Sequence, residues 1–338
     1  MSASTLRHRG SVVKNVVLCF DHVRHPGGGG DTNATAVFGL LDQAEGQVSW
    51  YHSGSARRAR ARDPHTEARA AVAGGYAFLR RCWEPGDAIF VFGVGRGAYC
   101  GQALIRLVNT VGVLPWSLND LVDHAVAAYA MPRTRRTPRQ WDGLRATFAA
   151  LTDGREQPSI SFLGLWDTLR DSGLPMPPAE RLAVREGRHA MAADGGTLLG
   201  RPVLLPGDPV EQAWFRGAHC DVTGGPGACR PLARIALNWV LDGAVAAGLR
   251  VRDGATTEPS AHADALAGSA RSLPMRRVPD DAVVHASVDA YVQAHPQYWR
   301  RLPAQFTWTD RDWLAHGERL IPAPAAPVAA PELAAIAS

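Results

Sequence analysis

The chain has 338 residues, of which 46% are hydrophobic and 20% charged, with a formal charge of +4 at pH 7. These proportions are those of a globular protein and exclude a largely disordered, collagen-like or coiled-coil chain. No stretch reaches the ~18 consecutive apolar residues of a membrane helix, and so mild a charge does not by itself call for a nucleic-acid partner.

Lys14 is the only lysine, and the other basic residues are arginines. The five cysteines, Cys19, Cys82, Cys100, Cys220 and Cys229, are odd in number and lack close paired spacing. No apolar segment followed by small residues marks the N-terminus as a secretory signal. The expectation is a reduced, cytoplasmic chain, with signal-independent secretion left open.

Residues 1–11 are expected to form a flexible arm. Val12 to Phe20 is an apolar, β-branched run that predicts a strand, ending in Asp21-His22. A turn-rich loop follows, and Thr32 or Asn33 caps a helix with Ala36, Leu40, Leu41 and Ala44 at helical spacing. Gln47 to His52 alternates as a second strand. After the arginine-dense loop Arg57 to Arg62, Thr66 to Trp83 is predicted helical. Ala88 to Phe92 is a short apolar strand of the kind buried in a parallel sheet. Gly93 to Gly97 is a tight glycine corner, and a helix continues over Ala98 to Val108.

Residues 113–158 predict a helical cap insertion, interrupted by the basic loop Met131 to Gln140. Ile160 to Leu165 is another buried strand, ending in Trp166-Asp167-Thr168. Residues 175–210 read as mixed and proline-rich, with His189 beginning a helical stretch. Gln212 to Ala218 predicts a strand ending in His219-Cys220-Asp221, and Pro231 to Leu249 an amphipathic helix. Residues 250–280 read as irregular, and Ala282 to Gln293 as a helix. The end of the chain, 321–338, is Ala/Pro-rich and expected to be disordered.

Strands alternating with helices give an α/β fold, a mostly parallel central sheet with helices on both faces, over residues 12–320. Such sheets bind ligands at the C-terminal ends of their strands. Asp21-His22, Gly93 to Gly97, Asp167 and His219 all sit at predicted strand ends. Gly93-Val94-Gly95-Arg96-Gly97 has the strand–turn–helix context of a nucleophile elbow, Gly-x-Ser-x-Gly, with glycine at the centre. Asp167 and His219 follow in the order acid, then histidine, that such a triad needs. The oxyanion hole would use the N–H of Arg96 and a second N–H from the early loop, at His22.

Other readings of these residues are weaker. Gly-x-Gly-x-Gly at 93–97 lacks the Gly-x-Gly-x-x-Gly spacing of a dinucleotide loop. His219, Cys220 and Cys229 lack the paired spacing of a metal cluster. His219 and Cys220 are read as strand neighbours, which point to opposite faces, so Cys220 is expected to face away and not replace the nucleophile. The runs Arg57 to Arg62 and Arg133 to Arg139 read as solvated loops, or as contacts for anionic lipid headgroups if they flank the site.

Together these motifs resemble the α/β-hydrolase family of type VI secretion phospholipase effectors. The resemblance rests on Asp21-His22-Val23, Thr32-Asn33, Pro85-Gly86-Asp87, Phe92 to Tyr99, Gly164 to Thr168, Arg188-His189-Ala190 and Gly217 to Gly225, in order over residues 14–303. It implies that His219 is the general base, Asp167 its acid partner, and Asp21 and Asp221 lining of the same site. It puts the nucleophile at Gly95, which has no hydroxyl, and departs from the family again at Asp21-His22-Val23, where Asp-Gly-Thr is expected. The implied function is a phospholipase- or esterase-like scaffold, catalytically impaired, that binds a small acyl-ester or phospholipid-like ligand or a protein partner. The alternative is an active acyl-ester hydrolase, working through water with His219 and Asp167, or carrying serine naturally at 95 with Gly95 an engineered replacement. No metal, cofactor or nucleic acid is expected.

Overall fold

A computed structural model describes residues 13–21, 31–44, 46–54, 64–122, 124–126, 137–151, 158–170, 174, 182–194, 202–253, 260–268 and 276–318. The N-terminal arm, His22, Gly27 to Gly30, Arg57 to Arg62, most of the 131–140 loop and the 321–338 segment lie outside the described residues. Among the described residues, eight parallel strands form one sheet. They are β1 Asn15–Phe20, β2 Gln47–His52, β3 Ala88–Val94, β4 Ile160–Trp166, β5 Val184–Ala192, β6 Val210–Phe215, β7 Ala282–His285 and β8 Phe306–Thr309. Their order across the sheet is β2-β1-β3-β4-β5-β6-β7-β8.

The central strands are apolar on both faces because helices cover both. Val16, Leu18 and Phe20 of β1 pack on one side, with Ile89 and Val91 of β3. That side is covered by α2 (Pro64–Cys82), α3 (Gly95–Val111) and α4 (Pro138–Leu151). Val17 and Cys19 point the other way, with Phe90 and Phe92. They meet α1 (Asn33–Leu40) and α6 (Arg230–Ala246). Between β3 and β4 the register shifts at Ile89/Phe90, so that Ile160 and Leu163 share one face although three residues apart.

In the 113–158 segment, Trp141 and Phe148 of α4 bury themselves in the cluster around α3. A cavity of about 530 Å³ lies at this flank, lined by the end of α3, Pro158 and Ser159 ahead of β4, and Val184 at the start of β5. It is therefore at the N-terminal edge of the sheet, the edge away from Gly95.

Several elements differ from the sequence reading. Residues 184–192 form β5, and His189 lies within that strand, not at a helix start. The strand went unread because Arg185, Glu186 and Arg188 interrupt its apolar pattern; Arg188 reaches Glu211 and Asp242 and sits over the Trp239 ring. Ala282 to Gln293 is not one helix. It divides into β7 and α8 (Ser287–Ala294), since four residues are too few for either periodicity to declare itself. β8 was not anticipated, although Phe306 and Trp308 alternate with threonines. The stretch 250–280 contains a short helix, α7 (His262–Leu266). His219 does not end a strand: it opens α5 (His219–Thr223), after β6 has stopped at Phe215.

Candidate active site

β3 runs straight into α3 at the C-terminal edge of the sheet. Gly95 makes the turn with φ +53°, a left-handed conformation that glycine takes without a Cβ penalty. The corner is also tight. A Cβ on Gly97 would stand 2.5 Å from the Phe20 carbonyl oxygen, and one on Gly93 would stand 2.5 Å from Ala98 Cα. Small residues two before and two after the centre are what a nucleophile elbow requires. The Gly95 carbonyl accepts a hydrogen bond from the Leu169 N–H at 3.0 Å, which ties the corner to the end of β4. Arg96 is exposed in the first turn of α3.

Asp167 leaves β4 with φ +43°, unusual for a residue with a side chain. Its N–H donates to the Ala190 carbonyl at 2.7 Å. Its Oδ2 lies 2.6 Å from His219 Nδ1. A carboxylate only accepts, so the imidazole carries its proton on Nδ1 and keeps Nε2 as the basic nitrogen. Oδ1 accepts from the Ala192 N–H at 3.1 Å and from Arg276 Nη1. Burial alone would push this carboxyl up. The hydrogen bond and charge of His219, with Arg276 beside it, instead hold Asp167 well below the usual carboxylate range.

Two further carboxylates fix the chain on either side of His219. Asp194 Oδ2 accepts from the Gly217 N–H at 2.8 Å, and its Oδ1 takes Tyr298 Oη at 2.9 Å and Arg301 Nη1 at 2.8 Å. Asp221 accepts from the N–H of Ala218 at 2.9 Å and of Cys229 at 2.8 Å. Asp21, at the end of β1, stands behind Gly97. Its Oδ2 accepts from Thr32 Oγ1 at 2.5 Å, Thr35 Oγ1 at 2.9 Å and Tyr51 Oη at 2.7 Å. Burial, with Asp21 adding to it, pushes the Tyr51 hydroxyl well up from its ordinary value. Thr32 caps α1 through the Thr35 N–H. Asn33 donates to the carbonyls of Val222 and Ala233, stitching α1 to α5 and α6. Asp87 similarly receives the Lys14 N–H, Lys14 Nζ and the Glu84 N–H, at the opposite edge.

His189 lies buried in β5, next to the strand that carries Asp167. Nε2 accepts from the Thr168 N–H at 3.3 Å and Nδ1 faces Gln212 Oε1 at 3.2 Å. Burial lowers it to about 4, against the opposing pull of Asp167, so it is a neutral ring at pH 7. Cys220 is a helix neighbour of His219, not a strand neighbour, so alternation does not decide its direction; its Sγ lies 3.6 Å from the Gly227 carbonyl oxygen. Among the described residues no group of three or more His, Cys, Asp or Glu could hold a metal ion, and no helix is long and apolar enough to cross a membrane.

The structure thus brings Gly95, Asp167 and His219 to one sheet edge from the ends of β3, β4 and β6. His22 lies outside the described residues. Arg276 is the site residue that sequence reasoning missed. It stands in a polar stretch with no periodicity, beside an exposed Arg277, and nothing in the local sequence separates the two.

Residues 14–243 match the family described as T6SS, Phospholipase effector Tle1-like, catalytic domain. The chain belongs to this family. Its scaffold is accordingly that of a Tle1-like phospholipase effector catalytic domain, with an α/β fold. An uncharacterised protein of Saccharomyces cerevisiae is 27% identical over 211 residues, covering 54% of this chain and 31% of that protein. Among solved structures, an uncharacterised Pseudomonas aeruginosa protein superposes with a TM-score of 0.39 at 14% identity, covering 71% of this chain and 47% of the other. The Tle1 effector bound to the VgrG spike of the type 6 secretion system gives a TM-score of 0.32 at 12% identity, over 67% and 56% of the two chains. An acetylxylan esterase gives 0.29 at 14% identity, over 64% and 87%. The chain spans about a third of the yeast relative and about half of the first two structures.

Proposed function

We propose that this chain is a hydrolase scaffold that keeps the acid–base half of a serine triad and lacks the nucleophile. The observation that carries the reading is the 2.6 Å His219–Asp167 hydrogen bond beside an elbow whose central residue is glycine. The backbone N–H of Arg96, together with one from His22, forms the oxyanion hole in this reading. Asp21 and Asp221 line the site in this reading, holding the chain segments beside it. The ligand is an acyl ester or a phospholipid-like molecule, or a protein partner docked at the same edge. Losing a triad nucleophile costs a serine hydrolase about 10⁶-fold in turnover, while hole and binding alone leave about 10³–10⁴ over water.

A second reading has its own support. Glycine at 95 has no hydroxymethyl group, so in this reading His219, held by Asp167, takes a proton from a water attacking an ester. The same chemistry serves if the natural residue at 95 is serine, with that hydroxyl in place of the water.

The test is hydrolysis of a short p-nitrophenyl ester by the chain, by Gly95→Ser and by His219→Ala. Turnover by Gly95→Ser alone supports the disarmed scaffold. Turnover by the unaltered chain that His219→Ala abolishes supports the water route. No turnover by any variant, with no ester binding, overturns both.

A further inference from the structure

Arg276 is as deeply buried as the carboxylate it meets, with side-chain exposures of 2% and 0%. Its Nη1 bonds Asp167 Oδ1 and lies 3.4 Å from the Ala192 carbonyl, while Nε and Nη2 are buried and have no hydrogen-bond partner among the described residues. Burying a guanidinium with two donors unmade is costly. A structural ion pair would be expected to satisfy more of its fork. What Arg276 does reach is the acid partner of His219.

We propose that Arg276 is a positioning residue of the His219–Asp167 pair, fixing which carboxylate oxygen faces the imidazole and opposing the charge the ring takes up. Oδ1 is occupied by Arg276 and the Ala192 N–H, so Asp167 cannot rotate and Oδ2 stays with His219. A bare Asp–His pair becomes neutral when the ring gains a proton. This three-group line is already neutral and becomes cationic. The Arg276 charge therefore opposes the positive charge that the ring gains on accepting a proton. Among the described residues, the titratable and charged groups nearest this corner include Asp221 and Cys220 on α5, Arg216 after β6, His189 and Asp194 at β5, Arg96 opening α3 and Arg230 opening α6. All are unchanged by substitution at 276. The purpose assigned to Arg276 rests on the hydrolase reading; its measurement does not.

The experiment is a pH titration of the His219 ring by NMR in the full chain labelled at histidine, the signal identified by its loss in His219→Gln. Arg276→Gln keeps a donor but removes the charge. Its midpoint is expected to rise by about one to two pH units, tenfold or more in proton affinity. Arg276→Lys keeps the charge and is expected to stay within a few tenths of the unaltered chain. A midpoint unmoved in a folded Arg276→Gln overturns the proposal. Should that variant not fold, Arg276→Met decides: a midpoint raised by a unit or more supports the proposal, and an unmoved one overturns it. Absence of ester turnover and of ester binding in every variant would fail the hydrolase reading and leave this titration standing.

Discussion

Asp167 and His219 are 52 residues apart in sequence and 2.6 Å apart in space. They meet because β4 and β6 flank β5 in a parallel sheet, so both chain exits fall on one edge. The pair is nearly solvent-free, and Arg276 completes it from the other side of the carboxylate.

Removing the carboxylate charge alone should be expensive. Asp167→Asn leaves the Arg276 guanidinium buried without a counter-charge, at a cost of about 3–5 kcal/mol. The double variant Asp167→Asn/Arg276→Met should be less destabilised than the single one. Urea unfolding of the three proteins reads this directly, and a double variant weaker than Asp167→Asn would count against the buried pairing.

Gly97 has no room for a methyl group. Gly97→Ala forces a Cβ against the Phe20 carbonyl, a backbone atom that cannot turn aside. Overpacking of this kind costs about 1–3 kcal/mol. The melting transition should fall accordingly, whereas Gly143→Ala on α4, where nothing lies within 4 Å, should not lower it.

Much of this corner was legible before any coordinates. Uninterrupted apolar runs announce β1, β3 and β4, since strands covered on both faces have no polar positions to break the pattern. Gly93, Gly95 and Gly97 mark a turn by their spacing, Asp167 stands where β4 ends, and His219 follows β6 by four residues, opening α5. Arg276 was invisible because its role exists only through a contact 109 residues away. β5 was hidden by Arg185, Glu186 and Arg188: the first two are exposed, Arg185 donating to Ser159 Oγ, and Arg188 pairs with Glu211 of β6 and Asp242 of α6. β7 and β8 are four residues each, too short for pattern to outweigh the helix-like run that follows β7.

Stability should fall with acid through His189. Burial lowers its folded value to about 4, below the ~6.5 of an exposed histidine. Between those values the unfolded chain binds the proton more readily, so stability is complete above about pH 6.5 and declines toward pH 4, by up to ~1.4 kcal/mol per unit. Buried His285 is lowered as well and acts in the same direction. Chemical denaturation from pH 4.5 to 7.5 should therefore give a shallower slope in His189→Gln than in the unaltered chain. Equal slopes would mean that His189 is not buried as a neutral ring.

Thr32 serves two neighbours, capping α1 through the Thr35 N–H and donating to buried Asp21. Thr32→Ala should cost about 1–2 kcal/mol, and Thr32→Ser should restore most of it. Equal losses in both would assign the effect to the methyl group and not to the hydroxyl.

The central claim is that the elbow and the base remain aligned around an absent nucleophile. Treating Gly95→Ser with a fluorophosphonate, which couples to an activated serine hydroxyl by displacing fluoride, and locating the adduct by peptide mass spectrometry tests it most directly. One adduct at position 95, lost when His219→Ala is added, is the result this account expects. A folded Gly95→Ser that stays unlabelled would contradict it.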